Sequence, residues 1–395
     1  MVSRRRPTHA DYRRRRIVAL VAVVAAVILL VLAFKACGGS DELSLTAEQT
    51  RRLELDQDPV KLTLSFSGDL LMHSPVYGRA LALGNGQSYD FTPLFQKIRP
   101  YVSEPDLAFC HVETPMTPAP PTSYPIFNTP PSLAKAVEAT GWDACDTASN
   151  HALDQGEEGI AETIQALDKA GIEHTGTATS EREARTPLML KADGVRIAYL
   201  AYTSDTNGIP VPKPYEVNLV NAKRIIDDAK QARKAGADAV IVNIHWSINY
   251  TPEYVGEPSA KQRELAAQLA KEKSITALVG QGPHVVQPIT RMAGKPVVFS
   301  EGNLISNQGA DSGLAEASQD GYIALLDLVV DGRGSRVTDV RYVPTWVDHS
   351  DYEVLPVGDA IKSGEADAAT LEASYDRTVT TTGRKDATPE PAKLP

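Results

Sequence analysis

The segment from about residue 221 to residue 279 constrains the fold most, because apolar runs and amphipathic segments alternate along it. Residues 238–244 are mostly apolar and lie between segments of helical periodicity at about 221–235 and 259–272. Such a run is typical of a strand buried on both faces, as in parallel sheets that are covered by helices. A second apolar run follows at 275–279. The pattern predicts consecutive β-α units and therefore a mixed α/β fold.

The same alternation extends over the rest of the chain's body. Residues 61–67 alternate strictly, with Leu62, Leu64 and Phe66 on one face, which predicts a half-buried strand. The last two strands should be antiparallel, because only the turn at 331–334 separates them. Further strands are predicted at about 106–110, in a short run that ends near Thr147, and at about 196–202, 285–290, 296–300, 321–330 and 336–344. Further helices are predicted at about 91–103, 131–140 and 157–170.

Proline interrupts this pattern at residues 115–131, where seven of the residues are proline. Regular structure is excluded there, because proline lacks the amide donor and restricts φ. The segment is therefore either a rigid surface excursion or a wall over a site. We expect one globular domain at 59–355, preceded by a linker at 37–58 and followed by a mostly disordered tail at 356–395.

The N-terminus predicts a membrane anchor. Residues 17–34 contain no charge, glycine or proline, and as a helix they would span roughly 27 Å, about the thickness of a bilayer core. The basic tail at 1–16 should remain cytoplasmic, so a single-pass transmembrane helix at 17–36 would place the globular domain outside the cell membrane. The alternative is a lipoprotein attached through Cys37, because residues 36–41 resemble the surroundings of a lipidated cysteine. Both interpretations predict a membrane-tethered, extracytoplasmic body.

The charge distribution limits the partners. The chain of 395 residues has a formal net charge of −10, although residues 1–16 hold seven arginines and one aspartate. An acidic body argues against nucleic acid as a partner, and it would hold a polyanion only through bound cations or a local basic patch. The three cysteines form no disulfide scaffold. A bridge between Cys110 and Cys145 is possible, but we do not expect it.

Polar side chains follow the predicted strands at the point where each strand ends. In open α/β sheets the carboxyl ends of the strands line the ligand site, so we expect these side chains to converge. Carboxylate, amide and imidazole groups are ligands that Zn, Mn or Fe accept. A dinuclear centre would suit hydrolysis, with a bridging carboxylate, an activated water and an imidazole as acid. The residues at strand ends are Asp69, His73, Glu113, Asn150, His151, His245 and His284.

Each of these residues also has a structural interpretation. Asp154 with Glu157 resembles a capping pair for the helix that begins near Gly156, and asparagine and histidine are common in turns. His245 beside Trp246 could be a packed, hydrogen-bonded histidine. His111 is set aside, because its side-chain direction is unknown from the sequence. The shared position at strand ends favours a site over these separate interpretations.

The motifs along the chain resemble those of the CapA family of poly-γ-glutamate capsule biosynthesis proteins, which are similar to calcineurin-like metallophosphatases. The resemblance covers about residues 60–345, and it implies a four-layer α-β-β-α sandwich of two mixed sheets flanked by helices. The motifs are G-D-L-L-M-H (68–73), D-L-A-F-C-H-V-E-T-P (106–115), S-N-H-A-L-D-Q-G (149–156), I-H-W (244–246), G-P-H-V-V-Q-P-I (282–289) and F-S-E-G-N (299–303).

The resemblance also implies roles for individual residues around a divalent metal centre of Mn, Fe or Zn, either mononuclear or dinuclear. His151 would be the general acid, and His73, Asp154 and Gln281 are candidates for accessory roles. The implied metal ligands are Asp69, Glu113, Asn150, His245 and His284.

Two departures from the family pattern matter. Residues 111–113 read H-V-E where the family commonly has N-L-E, which keeps the carboxylate of Glu113. At Gly282 the family usually has the first histidine of a His-x-His pair, and this chain retains only His284. Gln281 could supply a neutral oxygen instead. The departure leaves open whether the centre holds two metals, one or none.

Together these observations predict a membrane-anchored, extracytoplasmic CapA-like protein. It would act in the synthesis, export or attachment of an anionic envelope polymer such as poly-γ-glutamate, with capsule-synthesis membrane proteins as partners. The alternative is a metal-dependent hydrolase of phosphoesters or of an envelope polymer. A binding module that has lost its chemistry is a third hypothesis, which the glycine at position 282 supports.

Overall fold

The computed structural model describes residues 58–383 and 385–391, together with Thr46, Thr50 and Leu394. The basic tail, the membrane anchor, the lipidation alternative and nearly all of the linker lie outside these residues and stay predictions. In the described part of the chain, no helix is both long enough and apolar enough to cross a membrane.

Helices and strands follow one another much as the sequence pattern predicts. The helices are α1 (Ser74–Leu83), α2 (Arg99–Ser103), α3 (Ser132–Thr140), α4 (Gly156–Ala170), α5 (Glu181–Ala184), α6 (Ala222–Lys234), α7 (Ala260–Ala270), α8 (Val357–Ser363) and α9 (Ala368–Thr382), with 3₁₀ turns at Thr92–Ile98, Ala310–Ser312 and Glu316–Gln319. The strands are β1 (Val60–Leu70), β2 (Leu107–Val112), β3 (Ala144–Asp146), β4 (Glu173–Thr175), β5 (Leu188–Ala192), β6 (Val195–Thr203), β7 (Ala239–His245), β8 (Ala277–Gln281), β9 (Ile289–Met292), β10 (Lys295–Val298), β11 (Asn303–Ile305), β12 (Asp320–Asp331), β13 (Gly334–Asp348), β14 (Glu353–Pro356) and β15 (Thr388–Pro389).

Within the described residues these strands form a nine-stranded sheet and a six-stranded sheet, both of them mixed. The larger sheet has the order β14-β13-β12-β1-β2-β3-β4, with β11 beside β1 and β15 beside β13. Its strands β1 to β4 are parallel, whereas β12 to β14 are antiparallel to their neighbours, and β12 and β13 form the predicted hairpin. The smaller sheet has the order β5-β6-β7-β8-β10-β9, with antiparallel edges around a parallel centre.

Apolar side chains on alternate faces of the strands explain how the two sheets pack. Leu64 and Phe66 of β1 lie in a core that also contains Tyr199 of β6 and Ile241 of β7, so this core lies between the sheets. Helices α1, α3 and α4 cover the other face of the larger sheet, and α6 and α7 cover the other face of the smaller one. The predicted mixed α/β fold with two mixed sheets is confirmed, and its layers form an α-β-β-α sandwich.

Strand β7 carries apolar residues on both faces, as the sequence predicts. Ala239 and Ile241 pack between the sheets, whereas Val240 and Val242 pack against the helices of the smaller sheet. A strand in the centre of a parallel sheet has no solvent-facing side, which explains the nearly continuous apolar run.

The C-terminal segment corrects one expectation. The predicted disorder of 356–395 is wrong for residues 357–382, because α8 and α9 are ordered there. Leu371, Tyr375 and Val379 recur every fourth residue and pack into the core between the sheets. Threonine-rich composition suggested a tail, but this apolar stripe is what orders α9.

The cysteines correct a second expectation. Cys110 and Cys145 form a disulfide, which the sequence did not lead us to expect. The parallel register of β2 and β3 places the two residues opposite each other, with their Cα atoms 4.4 Å apart. That register depends on pairing between distant segments and is not visible in the sequence.

Candidate metal centre

Side chains at the carboxyl ends of strands from both sheets meet at one place. In the larger sheet Asp69 of β1 lies opposite His111 of β2, and His111 lies opposite Asp146 of β3. In the smaller sheet His245 of β7 lies opposite Gln281 of β8. All of these side chains are buried. Side chains at the strand ends therefore converge, as expected, and their role as a site stays a prediction.

The end of β1 is irregular, and the irregularity affects the direction of Asp69. The pairing register shifts between Phe66 and Asp69 on the β2 side and directly after Asp69 on the β11 side. Such bulges change the direction in which a side chain points. Gly68 is required by close packing, because a Cβ atom there would lie 1.9 Å from the carbonyl oxygen of Gly302. The G-D motif thus consists of a glycine that the backbone packing requires and an aspartate that lies in the candidate site.

A first cluster consists of Asp69, Glu113 and His284, whose ligand atoms all lie within 4.8 Å of one another. The Nδ1 atom of His284 lies 3.2 Å from Asp69 Oδ2, and its Nε2 atom lies 3.7 Å from Glu113 Oε1. The same Nδ1 atom is 3.1 Å from the side-chain oxygen of Asn303. These three residues are all among the predicted ligands.

A second cluster consists of Asp69, His111 and His245, also within 4.8 Å of one another. His111 Nε2 lies 2.9 Å from His245 Nδ1 and 3.7 Å from Asp69 Oδ1. Sequence reasoning set His111 aside, although its position near the end of β2 obeys the same rule as its neighbours. Asp69 belongs to both clusters, and each of its carboxylate oxygens is next to a different imidazole.

Buried oxygen atoms at this site lack hydrogen bonds, which tests whether a cation fits. Burying an ionised carboxylate without a partner is strongly unfavourable, so buried charges are normally paired or coordinate metals. Oxygen and nitrogen donors without thiolates suit Zn, Mn or Fe. Within the described residues, no hydrogen bond reaches Asp69 Oδ1, either side-chain oxygen of Glu113, or Asn150 Oδ1.

Burial and neighbouring charges set the ionisation of the clusters. Burial opposes the charging of His111, but the nearby carboxylates, Asp146 foremost, outweigh it and raise the pKa of His111 to about 9. Glu113 raises the pKa of His284 against burial in the same way. Burial raises the pKa of Glu113 and lowers that of His245. A bound cation would favour the ionised carboxylates and the neutral imidazoles, because these are the forms that ligate a metal.

His151 is held by an aspartate from its own turn. Its Nδ1 atom lies 2.7 Å from Asp154 Oδ2, which also accepts a hydrogen bond from the backbone N–H of Phe127 at 2.7 Å. The capping interpretation of Asp154 is wrong, because Gln155 is the residue that precedes α4. A carboxylate on Nδ1 places the proton there and leaves Nε2 for another partner, which is the arrangement that orients a catalytic histidine.

The proline-rich segment contributes a wall to this site. The ring of Phe127 meets that of His151 edge-on at 4.7 Å and that of His73 at 5.3 Å. Phe127 is buried, whereas Tyr124 is 76% exposed. Both interpretations of residues 115–131 therefore hold, since one part packs against the histidines and another projects from the surface.

Two further predicted residues, Asn150 and His73, have hydrogen bonds to residues outside the two clusters. The amide nitrogen of Asn150 donates to Asn207 Oδ1 at 3.2 Å, which leaves the orphaned oxygen of Asn150 as an available ligand. His73 Nδ1 accepts from the backbone N–H of Asn307 at 3.2 Å. Burial lowers the pKa of His73 to about 4, so this imidazole stays neutral. The roles of both residues stay predictions.

Gln281 belongs to a buried polar network that the sequence did not reveal. Its amide nitrogen donates to Asn243 Oδ1 at 2.9 Å and to Glu301 Oε2 at 2.7 Å. Asn243 in turn donates to Asp146 Oδ2 at 3.0 Å. Burial raises the pKa of Glu301 to about 8. Polar residues inside otherwise apolar strands, such as Asn243, are the signal that could have identified this network.

Gly282 occupies a position where no side chain fits. Its φ angle is +100°, and a Cβ atom there would lie 2.2 Å from the carbonyl oxygen of Trp246 and 3.1 Å from His245 Cε1. A side chain at position 282 would therefore start next to His245, the residue that His111 contacts. Position 282 and His111 of β2 thus both lie next to His245.

Comparison with known proteins places the chain among capsule synthesis proteins. A capsule biosynthesis protein CapA of Bacillus anthracis is 27% identical over 285 residues, which cover 68% of this chain and 67% of that protein. A PGA biosynthesis protein CapA of Bacillus subtilis is 27% identical over 66% of this chain and 67% of its own length. A probable polyglutamine synthesis accessory protein of Mycobacterium tuberculosis is 25% identical over 45% of this chain and 48% of its length.

Solved structures show a more distant likeness. A phosphatase from Mycoplasma pneumoniae superimposes with a TM-score of 0.44 at 13% identity, covering 79% of this chain and 99% of that one. The calcineurin-like phosphoesterase YfkN of Bacillus subtilis also superimposes with a TM-score of 0.44, at 14% identity, covering 80% of this chain and 99% of that one.

The family model described as bacterial capsule synthesis protein PGA_cap matches residues 63–308. This chain belongs to that family of bacterial capsule synthesis proteins.

Proposed function

We propose that this protein acts in the synthesis, export or attachment of an anionic capsule polymer of the poly-γ-glutamate type, through a divalent-metal centre at Asp69. Family membership and the names of its relatives support the polymer class. The apolar segment at residues 17–34 supports a membrane tether with the globular domain outside, by a transmembrane helix or through lipidated Cys37. Capsule-synthesis membrane proteins would be its partners.

The observation that carries the metal centre is the shared carboxylate. Asp69 Oδ1 lies beside the His111 and His245 pair, and Asp69 Oδ2 contacts His284. Asp69, Glu113, Asn150, His245 and His284 would hold the cation or cations. A bound divalent cation would supply Lewis-acid polarisation and a more acidic water.

A cation also explains how an acidic protein could hold an acidic polymer. The chain has a net charge of −10, and the site itself is built from carboxylates. Polyanion binding through long-range attraction is therefore unfavourable, whereas a polymer carboxylate could bind a cation that the site carboxylates hold. Histidines near the site would add hydrogen-bond donors for the same group.

A second candidate function is hydrolysis of a phosphoester or of an envelope polymer by the same centre, and the His151–Asp154 pair favours it. Asp154 holds Nδ1 of His151 at 2.7 Å, so that Nε2 can deliver a proton to a leaving group. Phe127 shields this imidazole from bulk water. A binding role alone requires no such oriented proton donor.

The experiment for the metal centre is elemental analysis of the full-length protein, purified in detergent, beside Asp69→Ala and His284→Ala variants. We expect Mn, Fe or Zn in the wild type and loss of metal in both variants. Metal-free wild type after incubation with each ion would contradict the proposal.

The polymer role is tested separately in the native host. Deleting the gene should reduce surface polymer, and the wild-type chain should restore it, whereas Asp69→Ala should not. Restoration by His151→Ala would show that polymer assembly does not depend on a proton donor at this position. Unchanged polymer in the deletion strain would contradict the assembly role.

The tether is tested by fractionation. Wild-type protein should sediment with membranes, and Cys37→Ser should change this only if a lipid is the anchor. Soluble wild-type protein would contradict both forms of the tether.

A further inference from the structure

We propose that His111 is a cation ligand, that it forms a second cation subsite with His245 and Asp69, and that Asp146 is the positioning residue that aims it. The inference rests on the proposed metal centre and adds ligands to it. None of the sequence motifs assigned a role to His111 or Asp146.

Strand pairing places His111 between two aspartates. Asp69 is its partner on β1, and Asp146 is its partner on β3. All three side chains are fully buried. Burying an imidazole between two carboxylates is energetically unfavourable, because each group loses its hydration. We therefore expect this arrangement to have a function.

Asp146 determines which nitrogen of His111 faces the site. Its Oδ1 atom lies 2.8 Å from His111 Nδ1, so Nδ1 carries the proton and Nε2 points away from this aspartate. The other oxygen of Asp146 accepts hydrogen bonds from Tyr199 at 3.1 Å and from Asn243 at 3.0 Å. A carboxylate fixed on both oxygens is a typical outer partner of a metal-binding histidine.

The spacing around His111 Nε2 fits shared ligation of one ion. It lies 2.9 Å from His245 Nδ1 and 3.7 Å from Asp69 Oδ1. Ligands about 2.0–2.1 Å from a tetrahedral zinc ion are roughly 3.4 Å from one another. The two observed distances lie on either side of that value, and Asp69 Oδ1 has no hydrogen bond in the described residues.

A hydrogen bond between the imidazoles is the competing explanation. Without a cation, a doubly protonated His111 can donate from Nε2 to His245 Nδ1 and from Nδ1 to Asp146. These bonds leave Asp69 Oδ1 and both oxygens of Glu113 without partners. A cation satisfies the carboxylates as well, and it replaces the proton between the two rings.

Position 282 strengthens the case for His111. A Cβ atom at position 282 would lie 2.2 Å from the carbonyl oxygen of Trp246 and 3.1 Å from His245 Cε1, so no side chain fits there. An imidazole beside His245 therefore has to come from another strand, and His111 of β2 supplies it. The second subsite is thus complete in this chain although position 282 is glycine.

The test loads the full-length protein in detergent with Co²⁺ and measures bound equivalents and the visible spectrum. We expect two equivalents in the wild type and one in His111→Ala and His111→Gln. His174→Ala is the matched control, because His174 is a largely buried histidine that pairs with Asp168 at 3.3 Å and belongs to neither cluster. It should keep two equivalents.

Asp146→Asn tests the positioning role. One of the two Co²⁺ equivalents should bind roughly 10–100-fold more weakly, and the other should be unchanged. A purely structural role for Asp146 would weaken both equivalents together and would contradict its assignment as the positioning residue.

The outcomes separate this inference from the proposed function. Two equivalents with a wild-type spectrum in both His111 variants would overturn the inference and leave the proposed centre intact. No Co²⁺ in the wild type would remove the proposed centre and the inference with it. If the His111 variants do not fold, X-ray absorption of the zinc-loaded wild type counts the imidazole ligands instead. Three imidazoles per pair of cations would support the inference, and two would refute it.

Discussion

Two buried aspartates in this protein differ in whether an arginine neutralises their charge. Asp320 of β12 is fully buried and is paired by Arg377 of α9, whose Nε and Nη2 atoms lie 2.7 Å and 2.9 Å from its two oxygens. Asp69 of β1 is equally buried, but among the described residues one of its oxygens has no hydrogen bond and the other has a hydrogen bond only with His284.

The difference separates a structural carboxylate from a functional one. At Asp320 a side chain of the same protein supplies the positive charge, in the forked geometry that suits arginine. At Asp69 no arginine or lysine pairs with the carboxylate within the described residues, and imidazoles and a second carboxylate surround it. Because no fixed positive side chain neutralises Asp69, a cation can bind there and supply the compensating charge.

Asp69→Ala should have the largest effect, because both clusters share this residue. We expect the cation-dependent stabilisation to disappear, which amounts to about 2.7 kcal/mol per site at a hundredfold excess over Kd. Calorimetric melting with and without Mn²⁺ or Zn²⁺ measures it. Arg377→Ala is the control and should retain the cation-dependent increase. An undiminished increase in Asp69→Ala would end the distinction between the two aspartates.

His151→Ala should separate binding from reaction at the functional aspartate. If the centre is hydrolytic, turnover of a generic phosphoester should fall about 10²–10⁴-fold, the usual contribution of a general acid. Metal content should stay at the wild-type value, because His151 belongs to neither cluster. Turnover that is unchanged in the variant would show that His151 is not the proton donor.

Arg377→Ala should destabilise the structural pair by about 3 kcal/mol, near the low end for breaking a buried ion pair. The low end applies because the Arg377 side chain is 27% exposed, so water partly replaces it. Arg377→Lys should lose less, since it keeps the charge but not the fork. Denaturant unfolding measures both. Equal losses in the two variants would show that the forked hydrogen bonds, rather than the charge, are what Arg377 contributes.

Gly282→Ala should cost about 1–3 kcal/mol for the left-handed backbone conformation, and the clash with the carbonyl oxygen of Trp246 should add to that cost. The strain should fall on Trp246 and His245, which the new Cβ would meet. Gly313→Ala, at a positive φ without close neighbours, separates the backbone cost from the clash. Unfolding experiments that show equal losses would mean that the contact with Trp246 has no cost of its own.

Much of the site was accessible from sequence, because strand ends are readable. Asp69 follows Gly68 at the end of the alternating strand 61–67, Glu113 follows an apolar run, and the parallel arrangement brings such strand ends together. His111 was missed because it lies inside the apolar run of β2, where a side chain's direction depends on the register with β1 and β3. Asp146 was missed because it ends β3, a strand of only three residues, and the direction of its side chain also depends on strand pairing.

The sequence by itself determined the order of β and α elements, the edge of the sheets where polar residues collect, and the types of ligand available there. These follow from local periodicity, which each segment carries independently. Only the tertiary structure decided that Cys110 meets Cys145, that α9 is ordered by its apolar stripe, and that His111 joins Asp69 and His245. Each of these depends on packing between segments far apart in the chain, and local periodicity contains no information about such pairing.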